Sequence, residues 1–533
     1  MKSNKIKIFL TAVIAITIVF SSCTEDLNVQ PLDDDATTAE MIYDSVSSYR
    51  QVLAKLYAGL ALTGQQGPAG NADIQGIDEG FSNYLRQYWV AQELPTDEAI
   101  VAWSDPGLPA FNTHSWGSSN DFVMAMYSRI FYNITMCNEF VRESSESKLN
   151  SRGFSESEKE TLRNFRAEAR FLRALSYWHA LDLYANVPFV TEKDDVGAFQ
   201  PEQISRDSLF GYIESELKAI ENDLVPATQN EYARADQAAA WTLLAKLYLN
   251  AEVYLEESKY TECISYCKKV INSGYTLDDN YEHLFLADNH TADGIILPVA
   301  FDGTRSQTYG GTTFIISAAV GGDMNPANFG IGGGWAGHRV TKEFFNIFGA
   351  DTTYDKRGMF YTDGQTLDIT DVAVFQEGYA VTKFKNITST GEAGSNSTFP
   401  DTDFPMFRLA DVYLMYAEAV KRGGTGGDIT TAVGYINDLR KRAYGNYYVS
   451  QGRITESELT LEFILDERAR ELYWECHRRT DLLRYGYFTT DDYLWAWKGG
   501  VQQGRASNDK YKLFPIPASD LNANPKLKQN DGY

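Results

Sequence analysis

Cysteine is scarce in this chain: five in 533 residues, and beyond Cys23 only Cys137, Cys263, Cys267 and Cys476. So few cannot staple a fold of this size, and a large apolar core has to stabilise it instead. Basic residues are the minority charge, 48 Lys and Arg against 72 Asp and Glu, for a formal net charge of −24. Such a surface repels polyphosphate, which argues against nucleic acid and anionic lipid headgroups and leaves neutral or cationic partners. Several catalytic signatures are also missing. The chain has no His-Glu-x-x-His, no Gly-x-Ser-x-Gly elbow and no Gly-x-x-x-x-Gly-Lys-[Ser/Thr] loop, and the glycine run before Trp335 lacks the lysine of a phosphate cradle. Cys263 and Cys267 share one helical face, but no histidine pair accompanies them at zinc-finger spacing, so they read as small buried apolar residues. Without a long Pro/Ser-rich linker or a charge block, the chain reads as one large architecture.

What is present begins with a processed segment. Lys2, Lys5 and Lys7 head an uncharged run from Ile8 to Phe20, closed by Ser21-Ser22-Cys23, the layout of a secretory signal. This run is too short to span a bilayer, which takes about 20 helical residues. Phe20-Ser21-Ser22-Cys23 resembles a bacterial lipobox, so residues 1–22 read as a lipoprotein signal peptide and Cys23 as a lipidated outer-membrane anchor. Residues 23–35 then form a flexible tether and residues 36–533 the folded domain. Losing residues 1–22 removes three lysines and no acid, which takes the charge to −27.

The folded part reads as mainly α-helical, with a little β. Leu162, Phe165, Ala169, Leu172, Leu175, His179 and Leu183 recur every three or four residues as one stripe of an amphipathic helix. Asn186-Val187-Pro188 should end it, since the residue before proline is pushed out of the α region. Trp241, Leu244, Ala245 and Tyr248 fit the opening of a tetratricopeptide repeat, with a second helix from about Lys259 to Ile271 turning Cys263, Cys267 and Val270 inward. A related pair is predicted where Tyr413, Leu414, Tyr416 and Ala417 precede a turn with Gly423, Gly424, Gly426 and Gly427 and a helix carrying Ala432, Ile436 and Leu439. Stacked hairpins bury a continuous core, which suits a long chain without linkers. Residues 64–120 and roughly 297–400 show little helical periodicity, and as long loops on a packed body they are where function is expected.

Several segments together resemble the SusD/RagB family of bacterial surface glycan-binding lipoproteins. They are Arg166-Ala167-Glu168-Ala169-Arg170-Phe171-Leu172-Arg173-Ala174, Ala233-Arg234-Ala235-Asp236, Phe407-Arg408-Leu409-Ala410-Asp411 and Tyr416-Ala417-Glu418-Ala419. Glu467-Arg468-Ala469-Arg470-Glu471-Leu472, Arg478-Arg479-Thr480-Asp481-Leu482, Pro515-Ile516-Pro517 and the terminal Asn530-Asp531-Gly532-Tyr533 complete the pattern. Segments 93–98, 309–313 and 493–500 look like the starch-binding subtype. The resemblance implies an α-helical domain on four tetratricopeptide-like hairpins, with inserted loops forming a glycan site. It further implies non-catalytic capture of oligosaccharide at the cell surface for a SusC-like TonB-dependent transporter, with no cofactor required.

By that resemblance Arg86, Trp103, Tyr309 and Trp335 fall at glycan-contacting positions. Their chemistry suits the task, because aromatic faces match the C–H faces of sugar rings and a guanidinium matches hydroxyls. Gly310-Gly311 and Gly332-Gly333-Gly334 flank two of the rings, which predicts room for close ligand approach. Where the starch-binding subtype has a second tryptophan this chain has Val101, and Pro106 replaces an asparagine. The platform is therefore smaller; α-glucan is the first expectation and another neutral glycan such as fructan the alternative. Asp278, Asp279 and Glu282 form a short acidic cluster that would suit a structural Ca²⁺ ion. The rival class, a surface glycoside hydrolase, needs two carboxylates about 5–9 Å apart, for which Asp97-Glu98 or Asp302 are the nominees. A peptide-binding repeat adaptor is a third class, suggested by the hairpins alone.

Overall fold

The computed structural model describes residues 39–197 and 199–533, so the expected signal peptide at 1–22, Cys23 and the expected tether at 23–35 lie outside the described residues. Gln51–Tyr533 clusters as one compact unit, and the described residues up to Arg50 fall outside it. No helix among the described residues is long and apolar enough to cross a membrane.

The stripe at Leu162 lies in a helix running Glu156–Tyr184. A capping box starts it: Ser155 Oγ accepts from the Glu158 N–H while the Glu158 carboxylate accepts from the Ser155 N–H. Ala185, at a φ of 60°, ends it ahead of the Val187–Pro188 strand. Both predicted hairpins form, Gln237–Leu249 packed on Tyr260–Ile271 and Leu409–Lys421 packed on Ile429–Tyr444. Cys263, Cys267 and Val270 are buried, and the two thiols stand 3.9 Å apart as free cysteines. Asp121–Glu143, Glu156–Tyr184, Arg206–Ile220, Gln237–Leu249, Tyr260–Ile271 and Leu409–Lys421 pack each on the next, and the last also meets Ile429–Tyr444 and Leu461–Leu472. The core runs along this series, so it grows with the chain instead of closing into a single centre.

Many charged residues of the family motifs are buried within the series, together with Arg357, Lys383, Glu475 and Arg484. Arg357 is fully buried and bonds Asp355, Glu467 and Glu471 at 2.7, 2.8 and 3.1 Å. Arg408 bonds Glu471 and Glu475 at 2.6 and 2.5 Å, and Lys383 bonds Glu475 at 2.6 Å. Arg468 bridges Asp411 and Asp481 at 2.9 and 2.7 Å, while Arg484 holds Glu418 at 2.6 Å. An uncompensated buried charge costs several kcal/mol, so only the packing that pairs all of these groups is allowed. Farther along, Arg234 Nε donates to Glu168 at 3.0 Å, and Asn530 Nδ2 donates to the Tyr184 and Phe514 carbonyls at 2.9 and 2.8 Å.

Two short antiparallel ladders position the loops. Phe404–Arg408 pairs with Ile295–Val299, so the intervening insertion leaves and re-enters the helical body at one place. Ile100–Val101 pairs with His338–Arg339, which clamps the loop carrying Trp103 to the insertion carrying Trp335. The two stretches expected to lack helix nevertheless contain Tyr84–Glu93 and Gly311–Ala319, with nine of ten and all nine residues buried. A helix covered on every side has no polar face, so its 3.6-residue period disappears from the sequence. The one residue of Tyr84–Glu93 that keeps some exposure is Arg86.

Candidate functional site

Asn83 organises the site. Its Oδ1 accepts from the Arg86 N–H at 3.0 Å and from the Gly311 N–H at 3.2 Å, fixing the starts of both buried helices with one side chain. Arg86 then reaches out from the first helix. Its Nη1 donates to the carbonyls of Gly80 and Tyr309 at 2.9 and 3.2 Å, and its guanidinium stands 4.4 Å from the Phe314 ring centroid. Burial lowers its pKa to about 10, partly opposed by Asp105 and Asp78, so the group stays charged at neutral pH. Its Nε is buried without a partner.

Trp103, Tyr309 and Trp335, all half-buried, meet beside it. Trp103 Nε1 donates to the Trp335 carbonyl at 2.9 Å, with the two ring centroids 6.2 Å apart and the planes at 49°. Tyr309 follows at 6.4 Å and 56° from Trp335, and Phe399 extends the row 5.6 Å beyond Tyr309. The rings therefore make a bent row, with the Arg86 guanidinium packed on Phe314, itself 6.1 Å from Trp103, and bonded to the Tyr309 carbonyl. Its backbone is held as well: Trp335 and Gly337 donate to the Ser317 and Ala318 carbonyls at 2.7 and 2.8 Å, lacing the strand to the Gly311–Ala319 helix. Under Trp103 lies His338, fully buried, 5.3 Å from it and stacked 4.6 Å from Trp89. Burial drives its pKa well below the usual imidazole range, so this floor is neutral.

Most of the flanking glycines have a different reason from the expected one. A Cβ on Gly310 would lie 2.1 Å from Asn83 Cβ, one on Gly311 2.1 Å from the Phe301 ring, and one on Gly334 2.1 Å from the Val320 carbonyl. They let protein pack against protein. Gly333, with nothing within 4 Å of its Cβ position, is the one that leaves open space before Trp335. Val101 is buried in the strand opposite His338, and Pro106 is exposed, so the row of rings stops at Trp103.

The acids nominated for hydrolysis are occupied. Arg478 Nε and Nη2 each donate to Asp97 at 2.7 Å, and Glu98 accepts from the Trp474 N–H at 3.1 Å. Glu98 works with Glu93, which accepts from the Cys476 N–H at 2.5 Å, to hold a turn whose Trp474 and Cys476 have φ of 64° and 66°. Burial raises Glu93 to about 7, and burial together with the Glu93 charge raises Glu98 well above the usual carboxylate range. Asp302 caps its own turn, accepting from the Thr304 N–H at 2.8 Å. The proposed Ca²⁺ ligands do not converge either. Glu282 bonds Lys385 at 2.7 Å, Asp279 is exposed, and Asp278 accepts from the Asn280 and Asp293 N–H groups at 2.8 and 3.0 Å. Among the described residues no three His, Cys, Asp or Glu side chains gather as a metal site.

A family profile described as the SusD family matches residues 350–533, and another described as starch-binding and associating with the outer membrane matches residues 36–249. The starch-binding protein SusD of Bacteroides thetaiotaomicron is 37% identical over the whole of both chains. This chain belongs to the SusD family. A solved SusD homologue from Bacteroides thetaiotaomicron superposes with a TM-score of 0.71 at 21% identity, covering 94% of this chain and 100% of that one. A laminarin-binding SusD-like protein does so with a TM-score of 0.69 at 21% identity, covering 92% and 100%. Within this SusD-family fold, the four residues picked from sequence come together, while Phe399, Phe314 and His338 join them unannounced. Each of these three enters through packing between distant segments, which leaves no local pattern to read.

Proposed function

We propose that this SusD-family protein is a non-catalytic glycan receptor of the outer-membrane surface. It captures a neutral oligo- or polysaccharide, of α-glucan type, on the row of Trp103, Trp335 and Tyr309, with Arg86 taking ring hydroxyls. It delivers that chain to a SusC-like TonB-dependent transporter, and a lipid on Cys23 followed by the 23–35 tether keeps it beside the membrane.

The observation that carries this reading is the convergence of three half-buried aromatic rings and one charged guanidinium from separate segments on one face. Rings cover C–H faces, and the guanidinium supplies donors at their edge. The relative named for starch shares the whole chain, while the laminarin binder shares the fold, so the fold by itself does not choose the glycan. The bend of the row favours a curved chain such as an α-glucan. Binding without hydrolysis is supported by the burial of Asp97 and Glu98 in structural bonds.

Calorimetric titration with maltoheptaose, cyclodextrin, fructan, xylan and mannan fragments, run beside a reducing-sugar assay, tests the reading. Heat with the α-glucans and no new reducing ends is expected. Heat with fructan alone would redirect the specificity, and release of reducing ends by pure protein would overturn the receptor assignment. For the anchor, Cys23→Ser is expected to move the protein from the membrane fraction to the soluble one; retention in the membrane would remove the lipid.

A further inference from the structure

We propose that a second glycan subsite lies in a polar cavity beside the Ile295–Val299 strand and takes another stretch of the same neutral chain that the aromatic row holds; this rests on the glycan reading of that row. The cavity measures about 370 Å³ and is lined in part by Tyr232, Tyr275, Thr276, Arg234, Glu231 and Asp293. That is near the lower end of the roughly 300–1,000 Å³ usual for small-molecule sites, room for about one or two sugar rings.

Its walls are built rather than incidental. Tyr232 is 47% exposed, unusual for a large aromatic side chain, yet its hydroxyl is pinned to Asp403 at 2.6 Å. Asp403 is itself buried, and its other oxygen accepts from the Phe301 N–H at 2.7 Å. An exposed ring held at its far end presents a fixed face to a ligand at little further loss of side-chain entropy. Tyr275 is tied in the same manner, its hydroxyl donating to Asp236 at 2.8 Å.

Asp278, from the acidic cluster of the sequence, supports the cavity from behind its rim. Asp278 accepts from the Asp293 N–H at 3.0 Å, and the same Oδ2 lies 3.0 Å from His283 Nδ1. This holds the segment that leaves Asp293 exposed at the rim. Next to it, Gly294 has a φ of 84° and a Cβ position 2.7 Å from the Thr276 carbonyl, so only glycine lets these two segments meet. Arg234 is already paired with Glu168 and Glu231. The rim is thus acidic, suited to sugar hydroxyls as donors and repellent to uronates and sugar phosphates.

A second recess adjoins the cavity and is lined in part by the segment that leads into Tyr309. This apolar recess of about 190 Å³ shares Ala233 and Pro298 with the cavity and extends along Leu62 and Ala300 to Ser306, three residues before Tyr309. A polymer engaging both places gains by effective concentration, on the order of 10²–10⁴ over either alone, whereas a short oligosaccharide on the row does not.

Maltoheptaose titration reads the row, and retardation of the full chain in amylopectin gels reads both places. Thr276→Trp fills the cavity from its exposed rim without removing an internal bond. It is expected to leave maltoheptaose affinity within about twofold and to weaken amylopectin retention about tenfold or more. Tyr232→Ala, checked for an unchanged fold by its melting curve, is expected to behave alike. Wild-type retention by both variants, with retention lost in Trp335→Ala, would overturn the subsite and leave the row standing. Loss of retention in Thr276→Trp with Trp335→Ala silent on both probes would keep the cavity and remove the row. If no variant changes anything, both fall, and a wild type that binds neither probe overturns the subsite as an α-glucan site.

Discussion

Trp335→Ala is expected to lower glycan affinity by about 30-fold or more, the effect of losing a central aromatic anchor worth roughly 2 kcal/mol. Trp335 sits between Trp103 and Tyr309 and is half-buried, and its own backbone bond to Ser317 survives the change. The melting temperature should therefore fall by only a few degrees. Calorimetry and a thermal melt on the same sample decide it: unchanged affinity sinks the site assignment, and a large drop in melting temperature would make Trp335 a core residue. Trp103 is a poorer probe, although a loop position suggests it could be removed at no structural loss. Its ring lies on Gly337, whose Cβ position is 2.5 Å away, and packs near Phe314 and His338. Trp103→Ala would open a cavity under the site and cost about 3 kcal/mol of stability as well as binding.

The second large effect concerns Glu471. Burial alone would raise its pKa, but Arg442, Arg408 and Arg357 outweigh burial and hold it at about 2. Glu418, also buried, is held at about 2, chiefly by Arg484. A carboxyl whose folded pKa is depressed contributes stability that is present above its unfolded pKa of about 4.3 and is lost as pH falls toward the folded value. Each of these groups accounts for on the order of 2–3 kcal/mol over that window. Glu93, raised by burial to about 7, acts in the opposite sense and erodes stability as pH rises from about 4.3 to 7. Melting temperature should thus peak in the mildly acidic range and fall steeply below about pH 4. Glu471→Gln leaves three arginines short of an anion, so a loss of about 3–5 kcal/mol at neutral pH and a shallower acid limb are expected. A melting profile from pH 2 to 8 that matches the wild type would refute the network's role.

Much of the scaffold could be read from local pattern. Leu162 to Leu183, the Trp241 hairpin and the Tyr413 hairpin each keep one face on the core and one in water, and a period of 3.6 residues survives in the sequence wherever that division holds. Motif charges such as Arg408 and Glu471 marked the family, but gave no sign of standing inside the fold, because their partners lie 63 residues apart in the chain. The buried helices Tyr84–Glu93 and Gly311–Ala319 stayed hidden for the opposite reason, having no wet face to print a period.

Taken alone, the chain determined its helical hairpins and its family, since residue type and short spacing carry those, and the family resemblance then nominated Arg86, Trp103, Tyr309 and Trp335. Folding decided what they stand on. It put Arg86 on the one partly open position of a buried helix, gave most of the flanking glycines to packing, tied Asp97 and Glu98 into structural bonds, and set Asp278 to hold the Asp293 segment at the rim of a cavity. Each of these depends on which distant segments meet, and the free energy of those meetings is set by burial and pairing across tens to hundreds of residues, where no local spacing records it.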